Sequence, residues 1–226
     1  KEAIKIVNQI FKGKDRPIAV MIDTSDAGRR NHTGLQDAFL TYEIITEGGI
    51  TRMMALFKDQ DTALVGPVRS SRHYFLDYAM ENDAIYAHFG WSDRAKEDIY
   101  ALDIDNLNGI TNASNAYFRD ENLSAPHNVF TKLGNLKTMA KEKEYSQETE
   151  KGLLLKYSVQ EIDFKDEENA RVAKTVTIPF SYYHTTEYQY HEDSKTYYRS
   201  MNGEAHIDAK TKKQYHVKNI ILVQIK

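Results

Sequence analysis

Ile18-Ala19-Val20-Met21-Ile22, followed at once by Asp23 and a polar run to Thr33, decides the fold class. Five consecutive apolar residues leave no polar side for solvent, so the run reads as a strand buried on both faces. Such strands belong to sheets covered by helices on each side. The run Asp23–Thr33 is rich in Ser, Asp, Gly, Arg and Asn and reads as a loop. A loop at the carboxyl end of a buried strand is where open α/β sheets place ligands.

Working outward, Ala3, Ile6, Val7 and Ile10 recur at helical spacing over residues 3–11. Residues 35–45 fit a helix, or a short helix leading into a strand. Ile50–Phe57 and Ala84–Phe89 read as further strands, with an extended stretch over 63–68. A helix is predicted from about Ser70, another from an Asp93 cap to about Leu102, and a third over 131–144. Residues 103–128 are irregular and Asn-rich, and residues 141–151 are almost wholly polar, marking a linker. Beyond it the apolar period changes to two, with Val172, Val176, Ile178 and Phe180 on one side of a strand and Thr186, Tyr188 and Tyr190 on one side of the next. Asn202-Gly203 signals a hairpin. Ile220–Ile225 reads as a covered strand at the end of the chain, so further chain is expected after it. The predicted architecture is mixed α/β: a layered N-terminal domain with a mixed sheet (1–150) and a small antiparallel β-rich C-terminal domain (165–226).

Composition removes several classes. The 226 residues carry 30 Lys+Arg against 33 Asp+Glu, a net charge of −3. That argues against nucleic-acid binding and against general adhesion to anionic membranes, both of which need surplus cations. Cysteine is absent, which removes disulfides, thiol nucleophiles and cysteine-based zinc sites, and points to an extracytoplasmic location. No stretch reaches the length of a membrane span. The chain opens on Lys1-Glu2-Ala3, so any export signal is expected upstream.

Several motifs carry a family signature. They are Arg16–Asp23, Tyr42-Glu43, Glu47-Gly48-Gly49-Ile50-Thr51-Arg52, Val65-Gly66-Pro67-Val68-Arg69-Ser70-Ser71-Arg72 and Asp83–Tyr86 in the first part. Tyr197–Gly203, His206, Asp208 and Asn219–Val223 follow in the second. In this order they resemble the YerB-like family of bacterial lipoproteins, a domain of unknown function with an N-terminal and a C-terminal part. The resemblance spans roughly residues 16–226. It implies an extracytoplasmic protein of the cell envelope, anchored through a lipid-modified cysteine upstream of Lys1, and it brings no activity with it. Two stretches depart from the family pattern. Ala38-Phe39-Leu40-Thr41 lacks the acidic residue usual there, and Phe89-Gly90-Trp91-Ser92 is bulkier than the usual glycine-rich turn.

The candidate chemistry centres on arginine. Arg69 and Arg72, at or before a predicted helix start, oppose the helix dipole, a placement a bound anion would relieve. With Arg52 and the Ser70 hydroxyl they make a candidate phosphate or carboxylate site. The alternative pairs Arg69 and Arg72 internally with Glu43 or Glu47. Glu43 and Glu47 share a face if helical and, with Asp23, could also serve as acid, base or metal ligands. Arg119, His127 and Asn128 lie in the long loop and are candidate ligand contacts, with Asn128 also a candidate helix cap. His206 and Asp208 lack a third ligand, so no metal and no cofactor is expected. Tyr188, Tyr190, Tyr197 and Tyr198 fit either a glycan platform or ordinary cross-strand packing. The sequence therefore favours a binding protein whose partner is an anionic small molecule or envelope glycan. An envelope enzyme acting on a phosphoryl or glycosyl bond, and a scaffold for a protein partner, are the alternatives.

Overall fold

The computed structural model describes residues 11–58, 61–158 and 160–224. The helix expected over 3–11 lies, but for its last residue, outside them.

The decisive run forms β1 (Ile18–Asp23), the centre of a five-stranded sheet. It pairs antiparallel with β3 (Thr51–Phe57), whose other side carries the edge strand β2 (Leu40–Ile45). On its other flank β1 pairs parallel with β4 (Ile85–His88), which pairs parallel with β5 (Asn106–Asn108). Successive strand residues point to opposite faces, and here both faces are covered. Ile18, Val20 and Ile22 pack with Phe57, Leu133, Leu136 and Ala140, while Ala19 and Met21 pack with Leu56, Phe75, Leu76 and Ile99. The covering helices are α2 (Leu76–Glu81) and α3 (Asp93–Ala101) on the second face and α4 (Leu133–Glu142) on the first. Ser92, one residue before the predicted cap, accepts the Ala95 N–H at the start of α3. A short helix, α1 (Asp26–Arg29), sits inside the loop after β1. The Asn-rich stretch contributes β6 (Tyr117–Arg119), which pairs with β7 (Val129–Thr131).

The C-terminal part is an antiparallel sheet. Its strands are β8 (Thr175–Pro179), β9 (Thr185–His191), β10 (Thr196–Met201), β11 (Glu204–Ala205) and β12 (His216–Val217). Strand β10 lies beside β9 and pairs on its other side with both β11 and β12. Asn202 and Gly203, both at positive φ, turn β10 into β11 as the dipeptide requires. The fold class is thus mixed α/β, as the sequence predicts.

Three local expectations are corrected. The helix placed from Ser70 begins at His73, because residues 68–71 are extended. The β1–β4 pairing stops at Val20, and beyond it this segment inserts between the two strands. Arg69 N–H donates to Met21 and its carbonyl accepts the Phe89 N–H; Ser71 N–H donates to Gly90. Residues 220–224 form no strand, and Ile221, Leu222 and Val223 are exposed: among the described residues no strand edge offers them a ladder. Residue 225 lies outside the described residues. Val172, 88% exposed, precedes β8 rather than lining it.

Candidate functional site

The site forms where β1 and β4 part. Asp23, the last residue of β1, faces Arg52 across the ladder, and the inserted segment brings Arg69 and Arg72 alongside. Asp23 is 2% exposed. Its Oδ1 accepts the Ser25 N–H at 3.0 Å, and its Oδ2 lies 2.6 Å from His127 Nδ1 and 3.5 Å from Arg69 Nε. Burial alone would raise its pKa. The His127 hydrogen bond, the Arg69 charge and the Ser25 donor outweigh burial and hold the carboxyl below its ordinary value. Gly28 in α1 is required here, since a Cβ at that position would come within 2.6 Å of Asp23 Oδ2.

Arg52 is 4% exposed, and the single hydrogen bond of its side chain among the described residues goes from Nη1 to the Ser70 carbonyl, 2.8 Å away. Burial, then the charges of Arg72 and Arg69, push its pKa down to about 10, against the opposing pull of Asp23 and Glu47. Arg52 therefore feels the charges of both Arg69 and Arg72. Arg72 is clasped from Nε by both oxygens of Glu47 at 2.9 Å. Arg69 reaches the Pro126 carbonyl from Nη1 at 3.4 Å, while its buried Nε bonds to nothing. The Ser70 hydroxyl is directed inward, donating to the Phe89 carbonyl at 3.1 Å.

The two glutamates do not share a face. Glu43 lies in β2, and Glu47 lies past the strand end in the turn Glu47–Gly49, because residues 40–45 pair with β3 instead of coiling. Glu43 is enclosed by the C-terminal part. Arg199 Nη2 donates to both its oxygens at 2.9 and 2.8 Å, and His184 and Thr51 add contacts at 3.1 and 2.8 Å. Burial would raise its pKa, but Arg199, His184 and Thr51 bring it down to about 2. Arg119 and Asn128 pair with each other, Nη1 to Oδ1 at 2.6 Å. The Asn128 amide also ties the carbonyls of Asp120 and Leu123, so it braces the loop and does not cap α4, whose cap position is Lys132. Of the loop candidates, only His127 joins Asp23.

Sequence reasoning missed the buried chain leading from Arg199 to Asp23. Arg199 Nη1 donates to His206 Nδ1 at 2.6 Å, His206 Nε2 donates to His32 Nδ1 at 2.7 Å, and His32 Nε2 donates to the Asp23 carbonyl. An arginine and a carbonyl at the two ends fix both tautomers. Burial pushes His32 down to about 4 and His206 well below its ordinary value. The available signal was Arg199 itself, which alternates with Met201 at an inward position of β10. His206 and Asp208 serve different partners. Asp208 accepts the Gly34 N–H at 2.9 Å and the Tyr215 hydroxyl at 2.8 Å. Among the described residues no group of acidic and histidine side chains could hold a metal ion.

Between the two parts opens a cleft of about 340 Å³, lined by Thr24, Ser25 and Asp26 on one side, Gly48 and Ile50 below, and Tyr183, His184 and Asn202 opposite. The arginines do not line it, but Ser25 and Gly48 adjoin their carboxylate partners Asp23 and Glu47.

A layered α/β part with a charged cluster at the splayed end of its sheet, joined to an antiparallel sheet that locks onto it, defines the class of protein. The chain belongs to the family described as "Protein of unknown function (DUF3048)". The family's N-terminal domain matches residues 8–146 and its C-terminal domain matches residues 176–226. It is 31% identical over 212 residues to the Bacillus subtilis (strain 168) protein named "Putative lipoprotein YerB", covering 92% of this chain and 62% of that relative's length. The crystal structure of YerB protein from Bacillus subtilis superposes with a TM-score of 0.77 at 30% identity, covering 89% of this chain and 66% of the other. Among the described residues no helix is long and apolar enough to cross a membrane.

Proposed function

We propose that this chain is the extracytoplasmic part of a lipid-anchored cell-envelope protein and that it binds an anionic ligand at Arg52, Arg69 and Arg72. The location follows from the lipoprotein name of the relative that it resembles over most of its length. The anion site rests on one observation. A buried arginine, Arg52, lies within reach of the charges of two others, and its side chain makes its sole hydrogen bond among the described residues to a carbonyl. Guanidinium groups crowded in this way favour a phosphate or carboxylate, which can take several charge-assisted bonds at once. Asp23 and Glu47 offset two of the three charges and leave one for a ligand. The ligand is a small anion or an acidic group on an envelope glycan, whose remainder would extend into the neighbouring cleft.

Thermal melting with inorganic phosphate tests the site. A ligand at 100 times its dissociation constant adds about 2.7 kcal/mol, which raises Tm by roughly 5–11 °C in a chain of this size. The shift should vanish in a folded Arg69→Ala/Arg72→Ala variant. Equal shifts in both proteins, or none in the wild type with phosphate or with acidic glycans, would make the arginines structural.

A further inference from the structure

The Asp23–His127 pair has a polarity that binding alone does not require. An ionised carboxylate only accepts, so His127 Nδ1, 2.6 Å from Asp23 Oδ2, carries a ring proton, and in the neutral ring the lone pair falls on Nε2. Nε2 has no hydrogen-bond partner among the described residues, and the side chain is 25% exposed. Ser25 Oγ lies 3.1 Å from the same Nδ1 and accepts the Gly28 N–H. A serine nucleophile would have to meet Nε2 instead, so the free edge of the ring acts on a group from outside. Arg69 lies against this pair, 3.5 Å from the shared Asp23 Oδ2 and 3.4 Å from the carbonyl of Pro126, the residue before His127. The Arg69 side chain is 23% exposed, so an anion drawn to the outer part of its guanidinium sits beside the imidazole.

We infer that His127, oriented by Asp23, is the general base of a phosphoester-hydrolysing site whose phosphoryl oxygens are held by Arg69 and its neighbours. This rests on the anion-site reading above. Glycoside hydrolysis fits less well, since it needs two carboxyl groups flanking one bond. Asp23 is committed to His127, and Glu43 and Glu47 are each clasped by an arginine. In the step, a water oxygen bonds to phosphorus while Nε2 takes the water's proton. The bond from phosphorus to the leaving oxygen breaks, and that oxygen keeps the electron pair and is protonated by solvent. The imidazolium, stabilised meanwhile by Asp23, returns its proton to solvent.

Release of nitrophenolate from p-nitrophenyl phosphate and bis(p-nitrophenyl) phosphate, followed beside calorimetric binding of inorganic phosphate, tests the inference. In His127→Gln, turnover should fall roughly 10²–10⁴-fold while phosphate affinity is kept. Circular dichroism should confirm that the variant is folded. Phosphate binding without turnover above the His127→Gln background, or equal turnover in both proteins, overturns the catalytic role and leaves the anion site standing. Absence of phosphate binding in the wild type overturns the anion reading itself.

Discussion

Replacing His32 by glutamine isolates the buried histidine chain from everything else that acid does to this protein. The glutamine amide can donate to the Asp23 carbonyl and accept from His206, as the neutral imidazole does, but it does not titrate. His32 is held at about 4, against an ordinary 6.5. The sign follows from proton counting. Between those values the unfolded chain binds a proton at this position and the native chain does not, so stability rises with pH. The contribution is full above pH 6.5 and is lost as pH falls toward 4. At pH 5 the loss from His32 alone is about 2 kcal/mol, or roughly 4–8 °C in Tm for a chain of this length. His88, also held at about 4, contributes a similar loss, but equally in both proteins, and cancels in the comparison. Thermal melts at pH 8 and pH 5 should show the wild type losing several degrees more than His32→Gln. Equal losses would refute the assignment of His32 as a neutral, doubly bonded link.

Arg199→Met removes the cation that holds Glu43 and leaves a buried carboxylate with His184 and hydroxyl partners only. A loss of about 3–5 kcal/mol in urea unfolding is expected, and a loss within the range of an exposed ion pair, below about 1 kcal/mol, would contradict the burial argument. Gly28→Ala places a methyl group against the Asp23 carboxylate. It should cost about 1–3 kcal/mol and weaken phosphate binding, whereas Gly134→Ala in α4, where a Cβ meets only Asp61 Oδ1 at 3.5 Å, should leave Tm level or higher.

The sheet was legible because its signal is local. The run Ile18–Ile22 needs apolar cover on both faces whatever lies around it, and the Asn202-Gly203 turn carries its own geometry. From Ser70 the sequence permits a helix as readily as a continuation of the extended stretch over 63–68. Only the gap left where β1 and β4 separate, a tertiary feature, selects the extended form. Glu43 and Glu47 share a face only if their segment is helical, and strand pairing sends them to different arginines. The arginine cluster was legible in composition and not in geometry, since Arg52 enters from a strand more than a dozen residues before Arg69. The histidine chain joins positions 32 and 206, and no spacing rule reaches across that distance.

That chain makes the C-terminal sheet part of the site rather than an appendage to it. Arg199 stays protonated throughout the accessible pH range, so its end of the chain can only donate. The Asp23 carbonyl at the other end can only accept. Donation can run in one direction alone, with both imidazoles neutral. A proton added to His206 would set an N–H against the Arg199 N–H, and one added to His32 would set an N–H against His206 Nε2–H. Either breaks the connection from β10 to β1. The backbone of Asp23 is thus pinned by His32, which the C-terminal part holds through His206, and by the Pro67 carbonyl just before the inserted segment, while its carboxylate is fixed by Ser25 and His127. A carboxylate constrained from three parts of the chain orients His127 closely, and acid that releases the C-terminal sheet also loosens the group on which the imidazole depends.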